Sequence, residues 1–350
     1  MAGLYVHIPY CRAKCAYCDF YSGPLRIFNE EQFFRAVDRE LAARRSEVGE
    51  FRTVYIGGGT PSAVDPARLA PYLSLAEGER TVEVNPDDIT PQLAEGLLRA
   101  GANRISMGVQ SLNDDELRAI GRRHTAAGAR HAYDILRQAG FTNISLDLIY
   151  GLPGQDFESW SRSLGELLDW GPQHLSAYIL SYEPGTLLTG RLKAGKIQEA
   201  TEELIERMYD HLCLTTRAAG FNHYEISNFA LPEFEARHNS SYWDMTPYLG
   251  LGPGAHSFDG TVRRENPANL KAYLADPENF AQAEEETDDN RFNDRLITSL
   301  RTAAGIECTA FSAAELELAR KLLEPVGNNR LRIPEKEWLR SNSLLLQLIR

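Results

Sequence analysis

Three cysteines near the start of the chain have the type and spacing that metal chemistry requires. Cys11, Cys15 and Cys18 fall within eight residues as Cys-x3-Cys-x2-Cys. Iron–sulfur clusters prefer thiolate ligands, and three thiolates can hold three corners of a four-iron cubane. The fourth iron then stays open to a small chelating molecule. The spacing therefore predicts a [4Fe-4S] cluster with one exchangeable position.

The same loop could bind zinc, with His7 or Asp19 as the fourth ligand. Zinc sites built from cysteine usually contain paired Cys-x2-Cys knuckles, and this segment has one knuckle. We therefore favour iron–sulfur over zinc. The remaining cysteines, Cys213 and Cys308, stand alone in helical-looking sequence, which is typical of small buried apolar side chains.

The open iron is important because of the molecule that it can hold. If that molecule is S-adenosylmethionine, its amino and carboxylate groups chelate the iron. The reduced cluster can then donate an electron into the sulfonium C–S bond. Cleavage yields a 5′-deoxyadenosyl radical, which is chemistry supplied by the cofactor and aimed by the protein.

The elements that must position this loop alternate between β-rich runs and helical patterns. The predicted strands are 4–8, 53–59, 80–86, 104–111, 143–153 and 174–180. Strands separated by helices imply a parallel sheet. Six strand–helix units without a clear seventh or eighth predict an α/β fold, an incomplete (β/α)6 TIM-type barrel.

Polar residues follow these strands where each one ends. They are the cysteine loop, Gly57–Thr60, Glu83, Gln110 and Asp147. In barrels of this type the chemistry gathers at the carboxyl ends of the strands. We therefore expect all five groups to face one mouth.

The pattern changes after residue 185, which sets the predicted domain organisation. We predict that residues 1–236 form the first domain, which consists of the partial barrel with its cysteine loop and the extension that follows it. A connecting region rich in glycine and aromatic residues follows over 237–276. The segment 277–350 is predicted to be a small, mainly helical domain with a short hairpin.

Composition excludes several classes of partner. The formal net charge of −12 argues against a nucleic acid held by a general positive field. No apolar run approaches the roughly 20 residues that span a bilayer, so we expect no transmembrane segment. The first residues lack the basic region of a signal peptide, and we therefore expect a cytoplasmic protein.

Several motifs together resemble one family, the oxygen-independent coproporphyrinogen III oxidases, and within it the branch of HemW-type heme chaperones. The match runs essentially from end to end. It is carried by "YVHIPYCRAKCAYCDF" (5–20), "IGGGTPS" (56–62), "VEVNP" (82–86), "RISMGVQS" (104–111), "GRRH" (121–124), "DLIYGLPGQ" (147–155), "HNSSYW" (238–243) and "GLGPGAHSF" (250–258). The resemblance implies the radical S-adenosylmethionine (radical SAM) class of fold and chemistry.

The resemblance also implies which residues contact S-adenosylmethionine. The set includes backbone amides of the glycine turn, the carboxylates at the strand ends and two flanking tyrosines. It also includes an arginine that can pair with the methionine carboxylate. Its members are Tyr5, Tyr17, Gly58, Gly59, Thr60, Glu83, Gln110, Arg122 and Asp147. No side chain is assigned a catalytic role.

Two functions compete within this family: a heme chaperone and a coproporphyrinogen III oxidase. The oxidases carry a fourth cysteine where this chain has Phe20, and a longer segment before the first strand, whereas three residues precede Leu4 here. The resemblance therefore favours the chaperone, with the oxidase as the alternative and the enzymatic status open.

The motif "HNSSYW" matches a signature of the chaperone branch. Its His238 offers an imidazole to heme iron, and Tyr242 and Trp243 offer flat surfaces to the macrocycle. His256 is a second and weaker candidate for the iron. The implied partners are heme and heme-accepting proteins such as membrane respiratory hemoproteins, and the family also allows a homodimer.

Overall fold

The computed structural model describes residues 1–27, 29–284, 287–327 and 329–350. Twelve of the described strands form one mixed sheet, which we number in chain order. They are β1 (Ala2–Ile8), β2 (Phe51–Gly58), β3 (Arg80–Val84), β4 (Arg104–Gln110), β5 (Ile144–Tyr150), β6 (His174–Ile179), β7 (Asn222–Glu225), β8 (Asn228–Ala230), β9 (Tyr248–Leu251), β10 (His256–Phe258), β11 (Arg263–Glu265) and β12 (Gln282–Ala283). Their order across the sheet is β12-β11-β10-β9-β1-β2-β3-β4-β5-β6-β8-β7.

The described α-helices lie mainly between the strands of this sheet. They are α1 (Glu30–Arg44), α2 (Pro66–Leu73), α3 (Pro91–Ala100), α4 (Asp114–Ala119), α5 (Ala126–Ala139), α6 (Phe157–Asp169), α7 (Leu187–Lys193), α8 (Glu202–Ala218), α9 (Arg237–Trp243), α10 (Leu270–Ala275), α11 (Asp288–Ser299), α12 (Ala313–Leu322) and α13 (Ser341–Leu345). Short 3₁₀ helices are Leu25–Ile27, Arg45–Glu47, Pro61–Ala63, Pro86–Asp88, Cys308–Ala310 and Glu335–Arg340.

The six predicted barrel strands are confirmed as β1 to β6. They lie side by side in sequence order and are all parallel, from β1 paired with β2 to β5 paired with β6. Helices join each strand to the next, as a parallel sheet requires. The predicted partial barrel is therefore the observed fold.

The sheet extends beyond the six strands at both edges. At one edge β9 lies parallel to β1, and β10, β11 and β12 follow it antiparallel. At the other edge β8 and β7 add to β6 in antiparallel order. These additions cover the open edges of an incomplete barrel, which would otherwise expose unpaired backbone groups.

Because β9, β10 and β11 come from the connecting region, the sheet runs across the predicted boundary at 236. The division into three domains stays a prediction. Within the last segment, Ile306–Glu307, Glu324–Val326 and Arg330–Arg332 form a separate antiparallel sheet packed with helices. Its last two strands form the expected hairpin.

Successive side chains of each barrel strand alternate between the apolar core, which lies between the sheet and the helices, and the inside of the barrel. In β1, Leu4, Val6 and Ile8 are completely buried in the apolar core. Tyr5 and His7 point to the other face of the strand, because successive side chains alternate. The same period places Glu83 of β3 and Asp147 of β5 on the interior face, where apolar packing is interrupted by polar groups.

Several helices begin and end at residues that satisfy the free backbone groups of a helix terminus. Asp156 accepts a hydrogen bond from the Ser159 amide at the start of α6. Gly140 ends α5 with a φ of 110°, a left-handed conformation that glycine adopts without steric cost. None of the described helices has the length and apolar character needed to cross a membrane.

Candidate functional site

A cavity of about 450 Å³ opens at the carboxyl ends of the barrel strands, a size typical of small-molecule sites. Most of the residues predicted to contact a cluster or S-adenosylmethionine line it. They are Cys11, Cys15, Tyr17, Cys18, Gly58, Gly59, Thr60, Glu83, Gln110, Arg122 and Asp147. The expectation that strand-end groups converge on one mouth is therefore confirmed by the structure.

The cysteine loop is held in place by its backbone. The Ala16 amide donates to Ile120 O (2.9 Å), and the Leu188 amide donates to Ala16 O (2.8 Å). Ala16 packs in a small apolar cluster with Ile120 and Leu188. Since Ala16 lies between Cys15 and Cys18, these contacts fix the loop while its thiols stay partly exposed and unbridged.

The thiols form a donor set that fits an iron–sulfur cluster. All three line the same cavity, and the Arg122 guanidinium donates to Cys15 Sγ at 3.4 Å. Burial raises the pKa of Cys18 to about 11, so its thiolate form needs the cationic charge that bound iron supplies. Soft thiolates beside a guanidinium suit a cluster with net negative charge.

Tyr5 and His7 lie beneath the loop rather than in the cavity lining. His7 Nε2 donates to Tyr21 O at 2.9 Å, because a carbonyl can only accept. Nδ1 of the neutral ring therefore accepts from the Tyr5 hydroxyl at 3.0 Å. Burial lowers the pKa of His7, which favours this neutral form. With both ring nitrogens engaged, His7 braces the loop and is not positioned to ligate zinc.

The glycine turn after β2 lets the backbone approach the cysteine loop. A Cβ at Gly59 would lie 2.5 Å from Tyr10 O and 2.8 Å from Ile8 O. Gly58 has a φ of 106°, and its amide donates to Glu83 at 3.1 Å. Only glycine satisfies both requirements, which gives the motif a structural reason as well as the predicted role in binding.

Glu83 and Asp147 place two carboxylates in the cavity. The Tyr55 hydroxyl donates to Glu83 at 2.7 Å, and Ser106 donates to both carboxylate oxygens of Asp147 at 3.1 and 3.2 Å. Burial raises the pKa of Glu83 to about 7, with the charge of Asp147 adding to it. Burial likewise raises the pKa of Asp147. Such a pair favours a ligand that brings positive charge.

Arg122 brings a positive charge to the same cavity that Glu83 and Asp147 line. Its guanidinium donates to Gly108 O (2.6 Å) and to Asn85 Oδ1 (2.9 Å), besides Cys15. Gln110 is nearby with a positive φ of 69°. S-adenosylmethionine carries a carboxylate as well as cationic amino and sulfonium groups, so it offers partners both to the guanidinium and to the carboxylates of this cavity.

Sequence reasoning missed several lining residues. Arg104, Ser106, Ser176, Tyr55 and Asn239 all contribute to the cavity wall. Arg104 is 1% exposed and its Nε has no hydrogen-bond partner among the residues described. The alternation of polar residues within β2, β4 and β6 could have indicated the strand members. Asn239 could not have been placed, because it comes from a helix far along the chain.

The structure places the "HNSSYW" segment below the cavity rather than at its mouth. Helix α9 closes the amino-terminal end of the barrel, where the amides of Arg237 and His238 donate to the Glu79 carboxylate at 2.8 and 3.0 Å. Asn239 of this helix reaches the cavity lining, whereas Tyr242 and Trp243 do not.

His238 is completely buried, and both of its ring nitrogens are engaged. Nδ1 pairs with Thr53 Oγ1 and Nε2 with the Tyr242 hydroxyl, each at 2.8 Å. Its ring stacks on Tyr55 with the centroids 5.3 Å apart. Burial lowers the pKa of His238 to about 3, so the ring is neutral. The predicted heme role of this segment stays a prediction. His256, the second candidate, is exposed on β10 and does not line the cavity.

Comparison with known proteins identifies the superfamily. Residues 5–167 match the model of the radical SAM superfamily. Over its length the chain is similar to the solved structure of coproporphyrinogen III oxidase (HemN) from Escherichia coli, a radical SAM enzyme, with a TM-score of 0.83. That match has 23% identity and covers 99% of this chain and 90% of that one. It establishes the fold.

Curated relatives are similar over most of both chains. The heme chaperone HemW of Bacillus subtilis is 32% identical over 89% of this chain and 86% of its own length. The heme chaperone HemW of Lactococcus lactis is 34% identical over 86% of this chain and 82% of its own. Membership of the radical SAM superfamily implies a [4Fe-4S] cluster and S-adenosylmethionine. Identity and coverage of this extent show that the chain belongs to the HemW family of the radical SAM superfamily.

Proposed function

We propose that this chain is a heme chaperone, which binds heme and delivers it to acceptor hemoproteins. The similarity to proteins named heme chaperone HemW supports the proposal. In this proposal Cys11, Cys15 and Cys18 hold the [4Fe-4S] cluster. The cavity beside them binds S-adenosylmethionine, whose methionine carboxylate pairs with Arg122 and whose cationic amino group or ribose hydroxyls meet Glu83.

One observation carries the heme-binding part of the proposal. Three large apolar or aromatic side chains at the cavity mouth are exposed: Phe20 (62%), Tyr178 (42%) and Ile179 (44%). All three line the same cavity. Exposed apolar side chains grouped around a concave site mark a binding surface. A heme macrocycle, flat and apolar with carboxylates at one edge, suits such a rim.

The "HNSSYW" residues enter the proposal in a different conformational state. For His238 to ligate heme iron, α9 must move away from Thr53, and one ring nitrogen of His238 must give up its buried hydrogen bond to Thr53 or to Tyr242. We propose that Tyr242 and Trp243 contact the macrocycle only in that state. A heme bound at the rim alone would instead leave His238 in place.

A heme titration separates these arrangements. We expect Phe20→Ala combined with Tyr178→Ala to weaken heme affinity at least tenfold, because two buried aromatic contacts are lost. Leu214→Ala is the matched control, since Leu214 is 64% exposed but lies on α8 away from the cavity. His238→Ala should change the Soret band if His238 is the ligand. Unchanged affinity in the double variant would contradict binding at the rim.

Glu83 gives a prediction that depends on pH. Because its folded-state pKa of about 7 exceeds the usual 4.5, Glu83 is largely ionised at pH 8 and largely protonated at pH 6. We expect Glu83→Gln to weaken S-adenosylmethionine binding roughly tenfold or more at pH 8, where a charged hydrogen bond is lost. At pH 6 the loss should be small. Isothermal titration at the two pH values measures this difference.

The stability of the same variant should change in the opposite direction. The folded state holds the Glu83 proton more tightly than the unfolded state, so this contribution to stability is complete below pH 4.5 and is lost as the pH rises through about 7. Glu83→Gln should therefore be more stable than the wild type at pH 8 but not at pH 4. A variant less stable at pH 8 would refute the role given to Glu83.

The alternative function is oxidative decarboxylation of coproporphyrinogen III. The shared fold with the Escherichia coli oxidase is the observation in its favour. Reconstituted protein should be supplied anaerobically with coproporphyrinogen III, reductant and S-adenosylmethionine. We expect no sustained formation of protoporphyrinogen IX. Steady turnover would replace the chaperone proposal by the oxidase.

The heme acceptor is proposed by class only. We propose acceptors among the respiratory hemoproteins of the membrane, reached by a chaperone that works in the cytoplasm. A homodimer is also proposed as a state of the loaded protein. Transfer of heme from the loaded chain to an apo-hemoprotein, followed by absorbance, tests delivery.

A further inference from the structure

Three metal-ligating side chains converge far from the cysteine loop. Cys213 lies on α8, His223 on β7 and Glu335 at the start of the 3₁₀ helix Glu335–Arg340. One ligand atom of each lies within 4.8 Å of the other two. Cys213 Sγ is 3.9 Å from His223 Nδ1, and that nitrogen is 3.1 Å from Glu335 Oε1. Glu335 is 112 residues from His223 in sequence, so it meets the other two side chains only because the chain folds them together.

The distances suit one small cation. Zinc bonds to sulfur, nitrogen and oxygen are about 2.0–2.3 Å long, which puts neighbouring tetrahedral ligands about 3.3–3.8 Å apart. The observed separations of 3.9 and 3.1 Å lie close to this range. Thiolate, imidazole and carboxylate are also the three ligand types that zinc uses in proteins.

The imidazole is held in one orientation by aromatic packing. His223 stacks on Phe229 with the centroids 4.1 Å apart and the planes at 15°. The ring of Trp338 meets it edge-on at 4.4 Å, and Trp338 is itself fixed by a hydrogen bond to Ile333 O. The direction of Nδ1 toward Cys213 and Glu335 is therefore set by packing and needs no metal.

A buried hydroxyl lies beside this group. Tyr209 is 4% exposed and packs edge-on against His223 at 6.1 Å. Its hydroxyl is within hydrogen-bond reach of the Cys213 thiol, so it can donate to the sulfur and help to hold it in place. A zinc ion held by three protein ligands commonly takes water in its fourth position.

Arg217 is the competing cation. Its guanidinium donates to Glu335 Oε1 at 2.7 Å, the oxygen that also accepts from His223. The Arg217 side chain is largely exposed, so it can move into solvent or bind the other carboxylate oxygen. An exposed ion pair of this kind is weak, and a metal ion can displace it.

We propose that Cys213, His223 and Glu335 form a zinc site with water as the fourth ligand. Binding releases the thiol proton of Cys213 to solvent and forms the metal–sulfur bond, and the proton that His223 Nδ1 shares with Glu335 moves to Nε2, which faces Ile226 O, so that Nδ1 can bind the metal. The site joins α8 and β7, at the edge of the barrel sheet, to the C-terminal segment that carries Glu335. Its role is structural: it clamps that segment to the barrel. The site is independent of the cluster and of heme binding.

Cobalt and zinc titrations of the full chain test the site. The variant with Cys11, Cys15 and Cys18 all changed to alanine is the background, because it removes the thiols of the cluster loop. We expect one equivalent of Co²⁺ to give a thiolate charge-transfer band and the visible bands of four-coordinate cobalt. One equivalent of Zn²⁺ should abolish both.

Further variants in that background assign the ligands. Cys213→Ser should remove the charge-transfer band, and Glu335→Gln should weaken binding at least tenfold. Arg217→Ala should strengthen binding by up to about fivefold, since it removes the competing ion pair. Cys308→Ser is the matched control for the thiol, and Glu265→Gln for the other group of potential ligands, His256, Glu265 and Glu284.

The outcomes are decisive even if one variant folds poorly. Glu335 is partly exposed, so Glu335→Gln should fold normally and far-ultraviolet circular dichroism can verify it. Absence of cobalt binding at micromolar concentration would overturn the proposal. If Cys213→Ser and Glu335→Gln both kept the cobalt spectrum and affinity of the background variant, the metal would be adventitious only, which would likewise overturn the proposal.

Discussion

Replacing Cys15 by alanine should leave the anaerobically reconstituted chain with less than about one iron, where the wild type holds about four. Cys15 lies between the other two thiols in the loop, and its Sγ is the atom that Arg122 contacts at 3.4 Å. With two thiolates remaining, the iron that Cys15 would bind has no protein ligand and is exposed to solvent. Iron and sulfide assays with absorbance at the cluster bands measure the loss.

The control distinguishes the loop from cysteine content in general. Cys308→Ser removes a thiol that is buried outside the cavity, so its iron content should match the wild type. The expected loss applies equally to Cys11→Ala and Cys18→Ala. If the chain kept its iron after all three loop thiols were replaced, the assignment of the cluster to this loop would be wrong.

The second large effect concerns stability and arises at Glu40 of α1. This carboxylate is completely buried and accepts four hydrogen bonds. The donors are Arg44 Nη1 (2.8 Å), the Gly252 amide (2.9 Å), Asn266 Nδ2 (2.8 Å) and the Tyr273 hydroxyl (2.8 Å). Glu40→Ala should lower the free energy of unfolding by about 3–5 kcal/mol, since it leaves buried donors without their acceptor and leaves the buried Arg44 with Glu47 as its remaining carboxylate partner.

Helix α1 contains its own matched control. Glu31 and Arg35 form an ion pair with the same spacing of four residues as Glu40 and Arg44, but both side chains are exposed. Glu31→Ala should therefore cost less than about 1 kcal/mol. Urea unfolding of the two variants measures the difference. Equal effects would show that the buried network contributes no more to stability than an exposed ion pair.

The Glu40 network also explains why the glycine-rich segment after β9 is attached to the cluster loop. A Cβ at Gly252 would lie 2.6 Å from His7 O, so this turn packs directly on the end of β1. The Leu270 amide donates to the Tyr21 hydroxyl at 2.8 Å, and Tyr21 O accepts from His7. Loss of Glu40 should therefore weaken the packing of this turn on the end of β1 and, with it, the attachment of the cysteine loop.

The barrel itself was predictable because its signals are local. The strand segments, such as 4–8 and 143–153, are short runs rich in aliphatic and β-branched residues, and the helices between them have clear caps. The mouth was predictable for the same reason, since parallel strands all end at one edge of the sheet. Cys11, Glu83 and Asp147 could thus be placed together without coordinates.

Other parts of the site were not predictable because they depend on contacts between distant segments. The strands β7 to β12 are two to four residues long, too short for a periodic pattern, and they form only where an open sheet edge accepts them. Helix α9 carries Asn239 into the cavity floor because Glu79, about 160 residues earlier, binds its first amides. No spacing within "HNSSYW" indicates that contact.

The amino-acid sequence by itself determined the three-thiolate loop, the six parallel strands and the edge at which their polar ends meet. These follow from residue type, short spacing and strand period, which act over a few residues. Only the tertiary structure decided that His238 is enclosed below the cavity, that Phe20 and Tyr178 share its rim, and that Cys213 meets Glu335. Those outcomes depend on how remote segments pack, and packing energy is a property of the assembled chain.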